Sequence, residues 1–319
     1  MRIAILERQT YGEDVSFEIF SKYGQVDVYS LQTDEPILDR LKDIDVVLCN
    51  KYPMNKQTLT SSVKLILQTG TGYNNIDLDY CNQNHIAVCN VAGYSTKSVA
   101  QHTFALALSL LEHLQEYDTM VKDLTYSKSG VFSIFVPYFS ELAGKVWGII
   151  GLGAIGKEVA KIAQAFGCRV IFYSTSGRNI KNEYEQVDFE TLLKESDIVS
   201  IHAALTEKNR YLMDINAFKK MKSNAILINV ARGPFVNEKD LVYAIDHSLI
   251  AGAGLDVMEQ EPLPLSSPLL QIQKKNRILL TPHMAWGSKE ARTRLIDELV
   301  LNLESYLLGK RRNRIDNWE

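Results

Sequence analysis

A chain of 319 residues has room for one large or two medium domains with sizeable buried cores. Hydrophobic residues make up 46% and charged residues 23%, an ordinary globular balance, and the formal charge of -3 argues against nucleic acid or a membrane surface as a partner. Basic residues gather at Lys310-Arg311-Arg312, which reads as a solvated tail. The four cysteines (Cys49, Cys81, Cys89 and Cys168) show neither a CxxC pair nor zinc-ligand spacing, so they read as reduced, buried thiols, and no metal site is expected. The opening residues read as a short strand rather than a signal peptide, and no apolar run approaches the roughly 18–20 residues of a membrane span. The cytoplasm is the expected compartment.

In chain order, short apolar runs alternate with segments of helical period, the pattern of a parallel α/β fold. The first series of strands is predicted at residues 3–6, 26–29, 46–49, 65–68 and 86–89, with helical spacing at 14–23 and 75–84. These runs are too apolar to face water on either side, as expected when helices cover both faces of a sheet. A wide apolar stripe over 98–114 predicts a helix that bridges domains or lines a subunit contact. A second series of six strands follows at 146–150, 170–173, 198–202, 225–229, 252–256 and 278–281, enough for a complete dinucleotide-type sheet. The last helix is predicted from Ser288 as N-cap to about Leu308, stopped by Gly309. Its face would be Leu295, Ile296, Leu299, Val300, Leu303 and Leu307. The expected architecture is two doubly wound parallel-sheet domains with a cleft between them. One is a discontinuous substrate-binding domain of residues 1–97 and 285–319, flavodoxin-like; the other is a Rossmann cofactor domain of residues 98–284.

The first strand of the second series runs into Gly151-Leu152-Gly153-Ala154-Ile155-Gly156. A GxGxxG alone is weak, but between a strand and a helix it gains meaning. Gly151 permits the tight turn, Gly153 lets backbone approach a pyrophosphate, and Gly156 lets helix and strand pack closely. The helix start at Ala154 and Ile155 supplies N–H groups for phosphate. An NAD site usually places an acid at the end of the next strand, to accept from the ribose 2′-hydroxyl. Here Ser174 stands there, followed by Thr175, Ser176 and, two residues further, Arg178. Without a carboxylate to repel it, a 2′-phosphate could be met by these donors. The cofactor is NADP or NAD, with NADP favoured.

Three further residues carry chemistry: Arg232 in Asn229-Val230-Ala231-Arg232-Gly233, Glu261 before Pro262, and His283 in Thr281-Pro282-His283. Each alone would be a surface ion or a structural histidine. Together, beyond strand exits, they supply a fork for a carboxylate and carbonyl, an imidazole for proton transfer and a carboxylate beside it.

With these phrases the chain resembles the D-isomer-specific 2-hydroxyacid dehydrogenase family from first strand to last helix, most of all its glycerate dehydrogenase (hydroxypyruvate reductase) group. Thr69-Gly70-Thr71-Gly72-Tyr73-Asn74-Asn75-Ile76-Asp77, Gly93-Tyr94-Ser95-Thr96, Ser98-Val99-Ala100-Gln101-His102-Thr103, Glu141-Leu142-Ala143-Gly144-Lys145 and Pro282-His283-Met284-Ala285-Trp286-Gly287-Ser288 extend the match. The resemblance implies an oxidoreductase acting on CH–OH groups. Arg232 would bind the substrate carboxylate and carbonyl, and His283 would be the acid in reduction and the base in oxidation. Glu261 would pair with His283 and favour its protonated form. The N–H groups of Thr71 and Gly72 would hold the substrate carboxylate, Asp256 would lie near the nicotinamide, and Thr103 near the cofactor. Family members pair through the helix corresponding to 98–114, so a homodimer is expected.

Ser174 departs from the family's usual acid, and Ala204 and Asn209 stand where relatives often have Pro and Thr. Formate dehydrogenases of the same fold carry Gln where this chain has Glu261, and formate oxidation needs no proton donor; Glu261 therefore favours a hydroxy acid. The resemblance implies hydroxypyruvate or glyoxylate as the preferred substrate, and no cation between Gln68 and Leu78 would suit a phosphorylated one. Tyr73 and Trp286 either narrow the pocket or merely pack. A D-lactate-type enzyme is the alternative within the family. A dinucleotide-sensing regulator is the rival from another class, and it would need docking segments of which the sequence shows no sign.

Overall fold

The computed structural model describes residues 1–30, 34–177 and 183–318. The chain divides into two compact units, Met1–Ser95 with Gly287–Glu319, and Thr96–Trp286. The first holds five parallel strands: β1 (Arg2–Ile5), β2 (Gln25–Val28), β3 (Val46–Cys49), β4 (Leu65–Gln68) and β5 (Ala87–Cys89), in the order β2-β1-β3-β4-β5. Every residue of β3 and β4 is buried, as continuous apolar runs require when both faces of a sheet are covered. The edge strand β2 does not share this: Val28 is 52% exposed, so the expectation that all these strands avoid water fails at the edge.

Helix α1 (Ile37–Arg40) is a single turn, and α2 (Leu78–Gln83) begins where the Asp77 carboxylate accepts from the Tyr80 N–H at 2.9 Å. The helix expected over 14–23 shrinks to a 3-10 stretch at Glu18–Lys22, where Phe17 and Phe20, three residues apart, bury their rings.

The second unit contains β6 (Val146–Ile150), β7 (Arg169–Tyr173), β8 (Glu185–Gln186), β9 (Ile198–Ile201), β10 (Ile226–Asn229), β11 (Gly252–Leu255) and β12 (Ile278–Leu280). All pairings are parallel in the order β12-β11-β10-β9-β6-β7-β8, so the chain reverses its direction of travel at β6, beside the glycine turn. Two-residue β8 is the seventh strand; polar and exposed, it has no apolar signature to read.

The helices of this unit are α3 (Thr96–Leu111), α4 (Leu114–Lys122), α5 (Thr125–Ser129), α6 (Ala154–Ala165), α7 (Phe189–Glu195), α8 (Ile215–Lys220) and α9 (Glu238–Asp246). The apolar stripe of α3 is taken up inside its own unit, where Val99, Phe104, Ala107 and Leu110 share a core with Trp147, Ile149, Val159 and Ile228. Gly254 admits this helix, because a Cβ there would lie 2.9 Å from the Leu106 Cβ. The helix ends before Leu114, which is 49% exposed and opens α4 instead.

The last helix, α10 (Lys289–Leu307), belongs to the first unit and is capped by Ser288 as the sequence predicts. Leu295, Ile296, Leu299 and Leu303 are buried, whereas Leu307 is exposed and Asn302 is buried, donating to the Asn90 carbonyl at 3.1 Å. Lys310 and Arg311 beyond it are exposed, as a solvated stretch requires, but the residues that follow are tied down. Arg312 pairs with Glu298 at 2.6 Å, and Arg314 clamps the buried Asp316, which accepts the Val88 N–H at 2.8 Å. Arg314 also bridges to Cys89, so this segment covers the open edge of β5. All four cysteines are free and buried; burial pushes Cys81 and Cys89 up to about 12, which leaves them without nucleophilic character. Among the described residues no helix is long and apolar enough to cross a membrane, and no cluster could hold a metal ion.

Candidate active site

The loops beyond the carboxyl ends of β10, β11 and β12 carry Arg232, the carboxylates Asp256 and Glu261, and His283, respectively. After β10, the Asn229 side chain accepts from the Ala231 N–H at 3.1 Å and donates to the Arg232 carbonyl at 2.8 Å, which shapes the loop that presents Arg232. Gly233 must lack a side chain, because a Cβ would lie 1.8 Å from the Met258 carbonyl oxygen. The loops after β10 and β11 are thereby pressed together. Arg232 is partly buried and donates from Nη1 to the Ala231 carbonyl at 2.7 Å.

Asp256, 1% exposed, organises the neighbouring loop. Its Oδ1 accepts from the Thr281 hydroxyl at 2.6 Å and the Met284 N–H at 2.9 Å, and its Oδ2 accepts from the Ala285 N–H at 2.8 Å. These bonds hold His283 from both sides in a left-handed conformation, φ 55°, which non-glycine residues rarely adopt. The His283 Nδ1 then lies 2.6 Å from Glu261 Oε2, while Glu261 Oε1 accepts from the Met258 N–H at 3.0 Å. The imidazole and carboxylate, 22 residues apart in sequence, form one unit with both side chains partly exposed.

Two supporting residues escaped the sequence reading. His102 Nε2 lies 3.0 Å from the Thr281 oxygen. That hydroxyl gives its proton to Asp256, so His102 is the donor to it. Ser98 donates to the Ala285 carbonyl at 2.6 Å. Both lie on α3, within a phrase the family resemblance had already picked out, but only folding shows that they brace the His283 loop.

At the turn after β6, Gly151 adopts φ 92°, and a Cβ there would meet Ala203 at 2.7 Å; a Cβ on Gly156 would lie 2.3 Å from the Gly151 carbonyl oxygen. Gly153, the N-cap of α6, faces open space, and the N–H groups of Ala154, Ile155 and Gly156 precede the first full helical bond, Lys157 N–H to the Gly153 carbonyl. An open cradle of unpaired donors at a helix N-terminus suits a pyrophosphate. A buried orphan lies beside it. Ser200 accepts the Trp147 indole N–H at 2.9 Å and faces His202 Nε2 at 3.0 Å, and the enclosed His202 Nδ1 has no partner among the described residues. Burial pushes His202 down to about 3, so the ring is neutral. The donors and space present fit a dinucleotide.

Ser174 and Thr175 follow β7, both half-buried, and Arg178 lies outside the described residues. Thr103 is fully buried on α3, and its hydroxyl donates to the Val99 carbonyl at 2.8 Å. Asn209 has a local role: its side chain accepts from the Thr206 N–H at 2.7 Å and donates to the Ala204 carbonyl at 2.9 Å, which holds that loop without a Thr. Trp286 packs against the core that contains α3, whereas Tyr73 is 40% exposed. A cavity of about 490 Å³ opens at the amino ends of β10–β12, lined by Lys145, Asp197 and Arg277. None of the predicted site residues lines it.

In the first unit, Thr71 and Gly72 lie on the loop after β4. The Thr71 hydroxyl donates to the Val91 carbonyl at 2.9 Å, the Thr71 carbonyl accepts from Asn90 at 2.8 Å, and the Gly72 carbonyl accepts from Gln68 at 2.9 Å. Among the described residues, neither the Thr71 nor the Gly72 N–H has an acceptor.

The family model of the D-isomer specific 2-hydroxyacid dehydrogenase NAD binding domain matches residues 104–285. A glycerate dehydrogenase from Methylorubrum extorquens is 34% identical over 99% of this chain and 99% of its own length. A hydroxypyruvate reductase from Blautia hydrogenotrophica is 33% identical over 97% of this chain and 98% of its own. Among solved structures, an acyclic imino acid reductase in complex with NADPH and D-Arg superposes with a TM-score of 0.86 at 32% identity, covering 99% of this chain and 100% of that one.

Proposed function

This chain belongs to the D-isomer specific 2-hydroxyacid dehydrogenase family, and from that premise we propose that it reduces a small 2-oxo acid, hydroxypyruvate or glyoxylate, to the D-2-hydroxy acid. The observation that carries this reading is the 2.6 Å pair between Glu261 and His283 on a loop pinned by Asp256. With Nδ1 engaged by the carboxylate, Nε2 is the atom that gives a proton to the substrate carbonyl oxygen and takes it back in oxidation. Arg232 grips the carboxylate and polarises the carbonyl with its planar fork. The N–H groups of Thr71 and Gly72 are further carboxylate ligands in this reading.

Gly151, Gly153, Ala154, Ile155 and Gly156 would hold the dinucleotide's phosphates, with Ser174 and Thr175 at its ribose and Asp256 and Thr103 near its other end. When bound, the reduced nicotinamide supplies the hydride. The absence of an acid at Ser174 supports NADP over NAD, and the imino acid reductase solved in complex with NADPH agrees. A homodimer and a cytoplasmic location complete the proposal. The exposed apolar run at Val131, Phe132, Phe135, Val136 and Tyr138 supports pairing with a second copy, with Phe132 94% exposed.

The test is a panel of hydroxypyruvate, glyoxylate, pyruvate and bulkier 2-oxo acids, each with NADH and NADPH, followed by cofactor absorbance. The expected result is the highest kcat/KM for hydroxypyruvate or glyoxylate with NADPH. Absence of turnover with every 2-oxo acid overturns the reading, and a strong NADH preference overturns its cofactor half. A parallel arm with methylamine covers the one specific alternative, reduction of an imine, which the imino acid reductase relative brings into view.

A further inference from the structure

A buried carboxylate at the carboxyl edge of the five-stranded sheet belongs to no motif. Glu7 follows β1, is 3% exposed and adopts a left-handed φ of 57°. Its Oε2 accepts from the N–H groups of Asn50 at 2.8 Å and Tyr52 at 3.0 Å, and both oxygens accept from the Lys51 N–H, at 3.1 and 3.0 Å. Three successive N–H groups converging on one anion form the kind of nest with which backbone binds phosphate or carboxylate. Here the chain fills the nest with its own side chain. The nearest cation in sequence, Arg8, is turned to the carbonyls of Gly12 and Val15 at 2.8 and 2.9 Å.

The filled nest is tied to the Thr71–Gly72 loop through Gln68, itself 1% exposed. Its Nε2 forks to the Asn50 carbonyl at 2.8 Å and the Gly72 carbonyl at 2.9 Å, and its Oε1 accepts from Asn75 at 3.2 Å. The two peptides before Gly72 are held in the same sense. The Gly70 carbonyl accepts from the Val91 N–H at 3.0 Å, and the Thr71 carbonyl accepts from Asn90 at 2.8 Å. In a planar trans peptide the N–H points opposite to the C=O. Pinning these carbonyls on the protein therefore turns the Thr71 and Gly72 N–H groups away from it.

We propose that Glu7 and Gln68 are positioning residues for substrate recognition: Glu7 fixes the 50–52 loop, and Gln68 carries that constraint to Gly72, so that the Thr71 and Gly72 N–H groups are preorganised for a carboxylate. This rests on the role assigned above to Thr71 and Gly72.

The test uses the full chain with Glu7→Gln, which keeps shape but replaces one acceptor oxygen by a donor against N–H groups, and with Gln68→Leu, which cuts the link while leaving the nest filled. In both, KM for the 2-oxo acid is expected to rise about tenfold, with kcat and the dinucleotide KM within about twofold of wild type. Amide hydrogen exchange without substrate is expected to quicken at 50–52 and at Val91, whose N–H is bonded to the Gly70 carbonyl, in Glu7→Gln, and at Val91 in Gln68→Leu. A lower melting temperature with both KM values unmoved, or both moved equally, overturns the proposal. If the wild type reduces no 2-oxo acid, the functional reading fails by itself. Exchange then decides the coupling, and faster exchange at 50–52 with Val91 unchanged overturns it.

Discussion

On the proposed function, the carboxyl edges of the two sheets solve different chemical problems with the same geometry. In the proposed reaction the groups that act at the seven-stranded edge are side chains, Arg232 and His283, while Asp256 and Glu261 orient the histidine and its loop. At the five-stranded edge the presented groups are backbone N–H, and the side chains Glu7, Gln68 and Asn90 stay behind them as supports. Proton transfer needs a group that titrates near neutral pH, which backbone cannot supply; holding a carboxylate needs only aimed donors. The comparison teaches that one edge should be sensitive to side-chain identity where it meets substrate, and the other only where its supports lie.

The largest effect expected from this contrast is at His283. His283→Ala should lower kcat about 10³-fold while dinucleotide affinity, read by fluorescence titration, stays within a few-fold. Turnover near wild type would remove the proton-transfer assignment and erase the distinction between the edges. Arg232→Lys should follow with about a 10²-fold loss of kcat/KM, because an ammonium replaces a planar fork; steady-state kinetics with hydroxypyruvate measures it. The smallest effect belongs to Thr71→Ala, which keeps the N–H and removes one hydroxyl bond to Val91. A change in kcat/KM below about fivefold is expected. A loss as large as that of Arg232→Lys would mean that the five-stranded edge also works through a side chain.

The strands of both sheets were readable because two-sided burial demands continuous apolar runs, as in β3, β4 and β9. Strand β8 was not, since a two-residue exposed edge carries no such demand. The stretch 14–23 has helical spacing yet needs only a 3-10 turn to bury Phe17 and Phe20. Glycines 151, 153 and 156 were legible because close approach excludes any other residue at two of them and the third faces open space. His102, Gln68 and Glu7 were not, because a supporting polar residue takes its meaning from partners that folding brings near, such as Thr281, 179 positions from His102, and leaves no local pattern.

What the sequence by itself determined is the kind of chain this is: parallel α/β layers, a glycine turn between strand and helix, and a cation, carboxylate and imidazole beyond strand exits. Those features follow from short-range periodicity and from chemistry that only certain side chains perform. The tertiary structure alone decided how they are held. It placed Glu261 2.6 Å from His283, folded the basic tail over β5 through Arg314 and Asp316, drew the α3 stripe into its own core, and filled an amide nest with Glu7. Buried polar groups must find partners wherever the fold brings them, so their pairing is a property of the assembled chain and not of any local segment.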